Sequence, residues 1–252
     1  MLDRFFAINR DVCKKLERYL PQTKLKIFSL YERIIAQYMN SSHNQIILDI
    51  GGGKSCLFAK YRNPDVNVKI IAIDVSLESQ KNNQDVDVKI VADVAQGLPF
   101  KNERVDLVVS RAVLEHLENI ETFIIDSRRI LKKNGYFIHL FPSKFVPFAL
   151  INQFLSEKLS RKLLYFFKPK SKGICGFPSF YKKCYYSTIK SLLERYDFEV
   201  IQMHFGFYQS PYFNFFVPLF LLSAFYEILL LVIGAKNLCA HVLVVAKKKV
   251  KC

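Results

Sequence analysis

The chain of 252 residues is 51% hydrophobic and 23% charged, with 9 Gly and 9 Pro, a balance that supports a packed core and excludes disordered, collagen-like and low-complexity classes. Its six cysteines (Cys13, Cys56, Cys175, Cys184, Cys239 and Cys252) form no Cys-x-x-Cys pair and no Cys/His cluster, which argues against a zinc site or a secreted disulfide scaffold. The net charge of +15 is uneven: residues 144–190 hold ten Lys/Arg and one acid, Glu157, a patch suited to nucleic acid or an anionic membrane leaflet, or else a solvated face.

Residues 10–40 read as helical from the recurrence of Leu16, Leu20, Leu25, Phe28, Tyr31, Ile34 and Ile35, with a break at Pro21. The N-terminus is charged throughout and lacks the apolar stretch of a signal peptide, so a reducing, cytoplasmic compartment is expected. A first strand, Gln45–Ile50, runs into Gly51-Gly52-Gly53, and a helix is predicted over Lys54–Tyr61. Further strands are predicted at 68–73, 88–92, 105–109 and 135–141, with a helical stretch at 113–131. Strands separated by helical patterns imply right-handed βαβ units, and the near-continuous apolar strands imply helices on both faces of a mostly parallel sheet. A helix at 187–195 and strands at 198–203 and 240–246 complete the pattern. The chain divides into an N-terminal helical extension (1–44), a core (45–143), a basic helical segment (144–197) and a last pair of strands (198–252) interrupted by an apolar insertion, 211–234.

In a doubly wound sheet, ligands bind at the carboxyl ends of the strands near the switch point. Glycines let the backbone approach a ligand, and a carboxylate at the end of the second strand, here Asp74, is placed to accept hydrogen bonds from ribose hydroxyls. Asp93, at the end of the third strand, is placed to receive an adenine amine; strand-end Asp also serves commonly as a helix N-cap. Gly53-Lys54-Ser55 imitates the end of a phosphate-binding P-loop, but that loop needs a glycine where Leu48 stands. The nicotinamide-dinucleotide fingerprint needs one where Cys56 stands.

The segments Ile47-Leu-Asp-Ile-Gly-Gly-Gly53, Ile71-Ala-Ile-Asp74, Ala92-Asp-Val-Ala-Gln-Gly-Leu-Pro-Phe100, Val105-Asp-Leu-Val-Val-Ser-Arg-Ala-Val-Leu-Glu-His-Leu117 and Ile130-Leu-Lys-Lys-Asn-Gly-Tyr-Phe137 resemble the successive motifs of class I S-adenosylmethionine-dependent methyltransferases of the type 11-like group. The resemblance implies a Rossmann-like α/β three-layer sandwich around a seven-stranded sheet whose last strand is antiparallel, and S-adenosyl-L-methionine as cofactor. It implies that Gly51 and Gly53 line the cofactor's amino-acid end with Asp49 supporting the loop. It further implies that Asp74 holds the ribose, Asp93 and Leu98 meet the adenine, and Ser110 and Arg111 lie beside the sulfonium. Serine at position 55, where the family often has a third glycine, is a departure.

Methyl transfer to a hydroxyl needs a base, and His116 is the candidate, with Glu115 orienting it or, by resemblance to the Glu-His pairs of some quinone O-methyltransferases, binding a divalent ion; the alternative is a histidine that caps or packs a helix. The insertion Pro211–Gly234 carries one charge, Glu227. A helix over 218–233 spans ~24 Å at 1.5 Å per residue, short of the ~30 Å hydrocarbon core, with Ser223 and Glu227 on a face able to turn toward protein. Such a helix lies in a membrane interface or is buried in a protein interface; the basic segment favours peripheral membrane attachment. The downstream layout resembles a bacterial-type subgroup associated with cell-surface glycan and lipid metabolism. The expectation is therefore an O-methyltransferase acting on a lipid-linked, glycan or other amphiphilic acceptor at a membrane. RNA is a less expected acceptor, because Ser110-Arg-Ala-Val113 replaces the base-handling motif after the fourth strand. A non-catalytic binding protein of the same fold is the remaining alternative.

Overall fold

The computed structural model describes residues 2–147, 149, 150, 159, 162, 165 and 178–250. Of the basic segment expected over 144–197, residues 148, 151–158, 160, 161, 163, 164 and 166–177, which include the Gly176-Phe177 part of the downstream motif, lie outside the described residues.

Two helices, α1 (Leu2–Leu16) and α2 (Ile27–Met39), are separated by short 3-10 turns, one of which starts at Pro21. Then come β1 (Gln45–Ile50), β2 (Val68–Asp74), α3 (Leu77–Lys81), β3 (Val88–Val91), β4 (Val105–Arg111), α4 (Ile120–Ile130) and β5 (Leu131–Pro142). Beyond the basic segment follow α5 (Tyr186–Arg195), β6 (Phe198–Gly206), α6 (Val217–Ile233) and β7 (His241–Lys248). The seven strands lie in the order β3-β2-β1-β4-β5-β7-β6, parallel from β3 to β5, with β7 antiparallel to both of its neighbours. This is the Rossmann-like sheet with one reversed strand that the sequence implied.

Strand alternation sorts the core into two layers. Ile47 lies between Ile70 and Leu107 in register, and these pack with Ile138, Leu243 and Val245 under Ile27, Tyr31, Ile34 and Ile35 of α2. The adjacent register row, Ile71-Leu48-Val108-Phe137, faces the other way and packs under Ile120, Phe123 and Ile124 of α4 and Ile189 and Leu193 of α5.

Two expected helices are shorter than the periodicity suggested. The stretch 113–131 is split into a single 3-10 turn, Leu114–His116, and α4, because Asn119 caps the latter by accepting hydrogen bonds from the backbone of Glu121 and Thr122. The helix expected over 54–61 is reduced to one 3-10 turn at Ala59–Tyr61. A helix entered from the glycine loop would bond the Cys56 amide to the Gly52 carbonyl. Instead that carbonyl accepts from the Asn83 side chain at 2.7 Å, and the Cys56 amide donates to Asp85 at 2.9 Å. Side chains have taken the partners a first helical turn requires.

The connectivity places several segments at one edge. β6 runs with the parallel strands, so the segment from Phe207 through α6 to Ala240 leaves from and returns to the carboxyl edge of the sheet. The start of α2 reaches the same edge, where Ile27 packs over Gly206 and the Phe28 ring sits 5.1 Å from that of His241.

Candidate functional site

The strand order reverses between β1 and β4, and the carboxyl ends of β1, β2 and β4 meet there. The loop after β1 extends the ladder, with the amides of Gly51 and Gly52 donating to the Ile73 carbonyl at 2.7 and 3.2 Å. Gly51 adopts φ +70°, a strained conformation for any other residue, and a Cβ on it would stand 2.5 Å from Val113 Cγ2, so a side chain there would have to displace Val113 in the turn after β4. The Gly53 amide donates to Asp74 Oδ2 at 3.0 Å, while Asp74 Oδ1 accepts from the Ser76 amide at 2.8 Å. Each carboxylate oxygen retains a second lone-pair direction, so Asp74 can still accept from a pair of ligand hydroxyls.

Asp49 lies beneath the loop, buried, its Oδ2 close under Gly52. Burial raises its carboxyl to about 7, against a hydrogen bond from the Cys56 thiol and the nearby Arg111 charge, which favour the anion. The Tyr31 hydroxyl belongs to the same neighbourhood: it is buried with no hydrogen-bond partner among the described residues, and burial together with Asp49 raises its pKa.

The structure joins Asp49, Gly51, Gly53 and Asp74 into one constellation, with Arg111 exposed on the Asp49 side of the sheet. Asp93 is exposed at the end of β3 and is also an N-cap, its Oδ1 accepting from the Ala95 amide at 2.9 Å. Leu98 is buried, with its amide donating to Asp126 and its carbonyl accepting from Arg129. Ser110 departs from expectation. As a strand neighbour of Arg111 it points to the opposite face, where it is fully buried and its hydroxyl lies 2.6 Å from His139 Nδ1. Its partner is the next strand, and it does not stand with Arg111 at a common point.

The turn carrying Glu115 and His116 is clamped to the chain at 178–181. The Glu115 carbonyl accepts from the amides of Phe180 and Tyr181 at 2.8 and 3.1 Å. His116 Nδ1 lies 2.7 Å from the Pro178 carbonyl, which can only accept, so Nδ1 carries the proton and Nε2 is the basic nitrogen of the neutral ring. Nε2 is 3.9 Å from Glu115 Oε1, beyond hydrogen-bond range. Glu115 is buried with Oε2 unpartnered among the described residues, and desolvation raises its pKa to about 8.

Some contributors escaped the sequence reading. Asn83 and Asp85 brace the glycine loop, yet the run Asn82-Asn83-Gln84-Asp85 reads only as a turn. Tyr31 reads as an ordinary core position of an amphipathic helix. Ala112, directly after β4, holds φ +57°, a conformation that nothing in its residue type announces.

A glycine loop after β1, an acid at the end of β2 and a switch point between β1 and β4 mark the place where a doubly wound sheet binds its ligand. Residues 48–139 match the family model described as "Methyltransferase domain". It is 30% identical over 147 residues to Uncharacterized protein MJ1123 of Methanocaldococcus jannaschii, covering 58% of this chain and 60% of that one. It is also 30% identical over 95 residues to the human mitochondrial Arginine-hydroxylase NDUFAF5, covering 37% of this chain and 27% of that one. The chain thus spans 60% of the length of the first relative and 27% of the second. Among solved structures it resembles the geranyl diphosphate C-methyltransferase of Streptomyces coelicolor A3(2) in complex with Mg2+, geranyl diphosphate and S-adenosyl-L-homocysteine. The TM-score is 0.57 at 10% identity, over 88% of this chain and 80% of that one.

Proposed function

We propose that the protein is an S-adenosylmethionine-dependent methyltransferase that transfers the methyl group to a hydroxyl of a lipid-linked, glycan or other amphiphilic acceptor at the cytoplasmic surface of a membrane. The observation that carries this reading is the Gly53–Asp74 bond beside a glycine loop that at Gly51 has positive φ and is packed against Val113. That cradle suits an adenosyl ligand: Asp74 offers lone pairs to two hydroxyls, and Gly51 and Gly53 leave backbone open to the amino-acid end. Asp93 and Leu98 flank the adenine side, and Arg111 with Asp49 the amino-acid side. The buried, unpartnered hydroxyl of Tyr31 fits the same end. Ser110 is withdrawn from this set because its hydroxyl is committed to His139.

When bound, the cofactor supplies an already activated methyl group. The chain's own work is therefore alignment and the removal of one proton. His116 is held by Pro178 with Nε2 basic, and Nε2 accepts the acceptor's hydroxyl proton. Glu115, buried and protonated at neutral pH, holds the turn and leaves the imidazole without an adjacent full negative charge. Support for the membrane setting comes from α6, whose Leu222, Phe225 and Val232 are 65%, 68% and 77% exposed. No helix among the described residues is long and apolar enough to cross a membrane. Attachment in the interface plane fits that length.

Calorimetry with S-adenosyl-L-methionine tests the cofactor claim: the wild type binds, Asp74→Ala loses at least about tenfold in affinity, or ~1.4 kcal/mol, and a wild type that does not bind ends the reading. Incubation with radiolabelled cofactor and a membrane extract tests the acceptor. Label is expected in the lipid or glycan fraction, and His116→Ala lowers the rate by ~10²–10⁴ without changing cofactor affinity. Label in RNA, with steep salt dependence, would replace the acceptor class.

A further inference from the structure

We propose that α1 and the connector to α2 are the cationic half of a composite surface whose apolar half is α6, and that this surface takes an anionic phospholipid bilayer. The inference rests on the membrane reading of α6 and adds a second element, with a different chemistry, to it.

The rotation of α6 is fixed from the inside. Glu227 accepts from the Gln22 amide at 2.9 Å, the Gln209 amide at 3.0 Å, the Ser210 amide, the Ser210 hydroxyl at 3.2 Å and the Ser223 hydroxyl at 3.1 Å. Phe220, Ala224 and Leu230 complete that buried stripe. Leu222, Phe225, Leu229, Val232 and Ile233 therefore point outward, between 47% and 77% exposed. α1 is tied to the start of this helix. Asn9 Oδ1 accepts from the Val217 amide at 2.9 Å, and the Phe5 and Phe216 rings lie 6.4 Å apart.

The outer side of α1 has its own pattern. Phe5, Ile8 and Val12 are exposed at helical spacing, forming an apolar stripe that meets α6 through Phe216. Arg4, Arg10, Lys14, Lys15, Arg18, Lys24 and Lys26 are all exposed. Over α1 and its connector, residues 2–26, these seven cations face three acids, Asp3, Asp11 and Glu17, a local charge of +4. That balance selects the occupant. A second copy laid on this face by a two-fold axis brings +4 against +4, whereas an anionic bilayer accepts both the cations and the apolar residues. The two halves supply the two signals that stable peripheral attachment requires.

The test is sedimentation of the full chain with vesicles of phosphatidylcholine alone and of phosphatidylcholine mixed with phosphatidylglycerol, at low and high salt. The wild type is expected on the anionic vesicles, with binding weakened by salt. Lys14, Lys15, Arg18 and Lys24→Gln together should reduce binding to anionic vesicles by on the order of 1,000-fold, with little change on neutral vesicles. Leu222, Phe225 and Val232→Asn together should reduce binding to both. Thermal melts and calorimetry with S-adenosyl-L-methionine confirm that each variant is folded. If the four-fold Gln variant binds anionic vesicles as the wild type does, the role of α1 is overturned, while loss in the α6 variant leaves the membrane reading intact. If the wild type binds neither vesicle, or sediments as a dimer that the α6 variant dissociates, both are overturned.

Discussion

Gly51→Ala tests the cradle most directly, because the structure fixes two separate penalties. At φ +70° a residue with a Cβ costs ~1–2 kcal/mol relative to glycine. The new Cβ also stands 2.5 Å from Val113 Cγ2, against ~3.5–4.0 Å for ordinary carbon contact. Relieving that overlap moves the loop or the turn after β4 by about an ångström, which costs ~1–3 kcal/mol by the usual scale of overpacking. The single variant should therefore lose ~2–5 kcal/mol, divided between stability and cofactor binding. Val113→Ala removes the offending methyl and leaves Val113 Cβ at 4.0 Å, an ordinary contact. In the double variant the overlap penalty disappears and the backbone penalty remains. Urea denaturation and calorimetry on all four proteins give a double-mutant cycle with an expected coupling of ~1–3 kcal/mol. Strict additivity, or a single variant with wild-type stability and affinity, would refute the packing of the loop against the turn that carries Glu115 and His116.

The remaining predictions concern buried polar groups. Glu115 has its pKa raised to about 8 in the fold, so it stays protonated there while the unfolded chain ionises from about pH 4.3 upward. Stability should thus fall as pH rises through that window, at up to ~1.4 kcal/mol per pH unit, and Glu115→Gln should gain on the wild type between pH 5 and 8; parallel melting curves across that range speak against it. Ser110→Ala leaves His139 Nδ1 buried without its partner and should cost ~1–3 kcal/mol in urea unfolding, partly recovered when His139→Leu removes the remaining polar atoms; no cost would mean the Ser110–His139 bond is not formed. Glu227→Leu strands the amides of Gln209 and Ser210 and the side chain of Gln22, so a loss of several kcal/mol, at ~1–3 kcal/mol per buried donor left unsatisfied, is expected with early proteolysis at α6, and Glu227→Gln should be milder; equal protease resistance in all three proteins would show that α6 is held otherwise.

Strand positions were legible because buried parallel strands are continuous apolar runs ended by Gly or Asp, as in Gln45–Ile50 and Val68–Asp74. The inward turn of Ser223 and Glu227 was legible from their helical spacing. What helices do at their ends was less so. Lys54–Tyr61 has helical composition, but Asn83 and Asp85, far away in sequence, take the carbonyl and amide of its first turn. The Ser110 side chain was misplaced because a motif orders residues along the chain without saying which face each one takes. In a strand that face alternates, so Ser110 and Arg111 cannot both point at one atom.

Topology then limits what the insertion can be for. β6 ends, and β7 begins, at the edge of the sheet that carries the glycine loop, Asp74 and Arg111. A segment inserted between them emerges at that edge, and α6 does. α1 is brought there by a different route, since α2 must start at the carboxyl edge in order to finish beside the start of β1, and Ile27 and Phe28 fix that start against Gly206 and His241. An apolar helix serving only to fill the core would leave its outer face polar, but Phe225 and Val232 are 68% and 77% exposed. Two segments widely separated in sequence, one apolar and one cationic, thus share the end of the sheet where the cofactor cradle opens. A bilayer-borne acceptor would meet the site from the side on which the protein is held. Moving the apolar residues of α6 to the outer surface of α4, with the glycine loop untouched, should preserve vesicle binding and cofactor affinity while abolishing transfer to a lipid acceptor. Transfer that survives such a relocation would show that attachment serves only to concentrate the enzyme and that its orientation on the membrane is irrelevant.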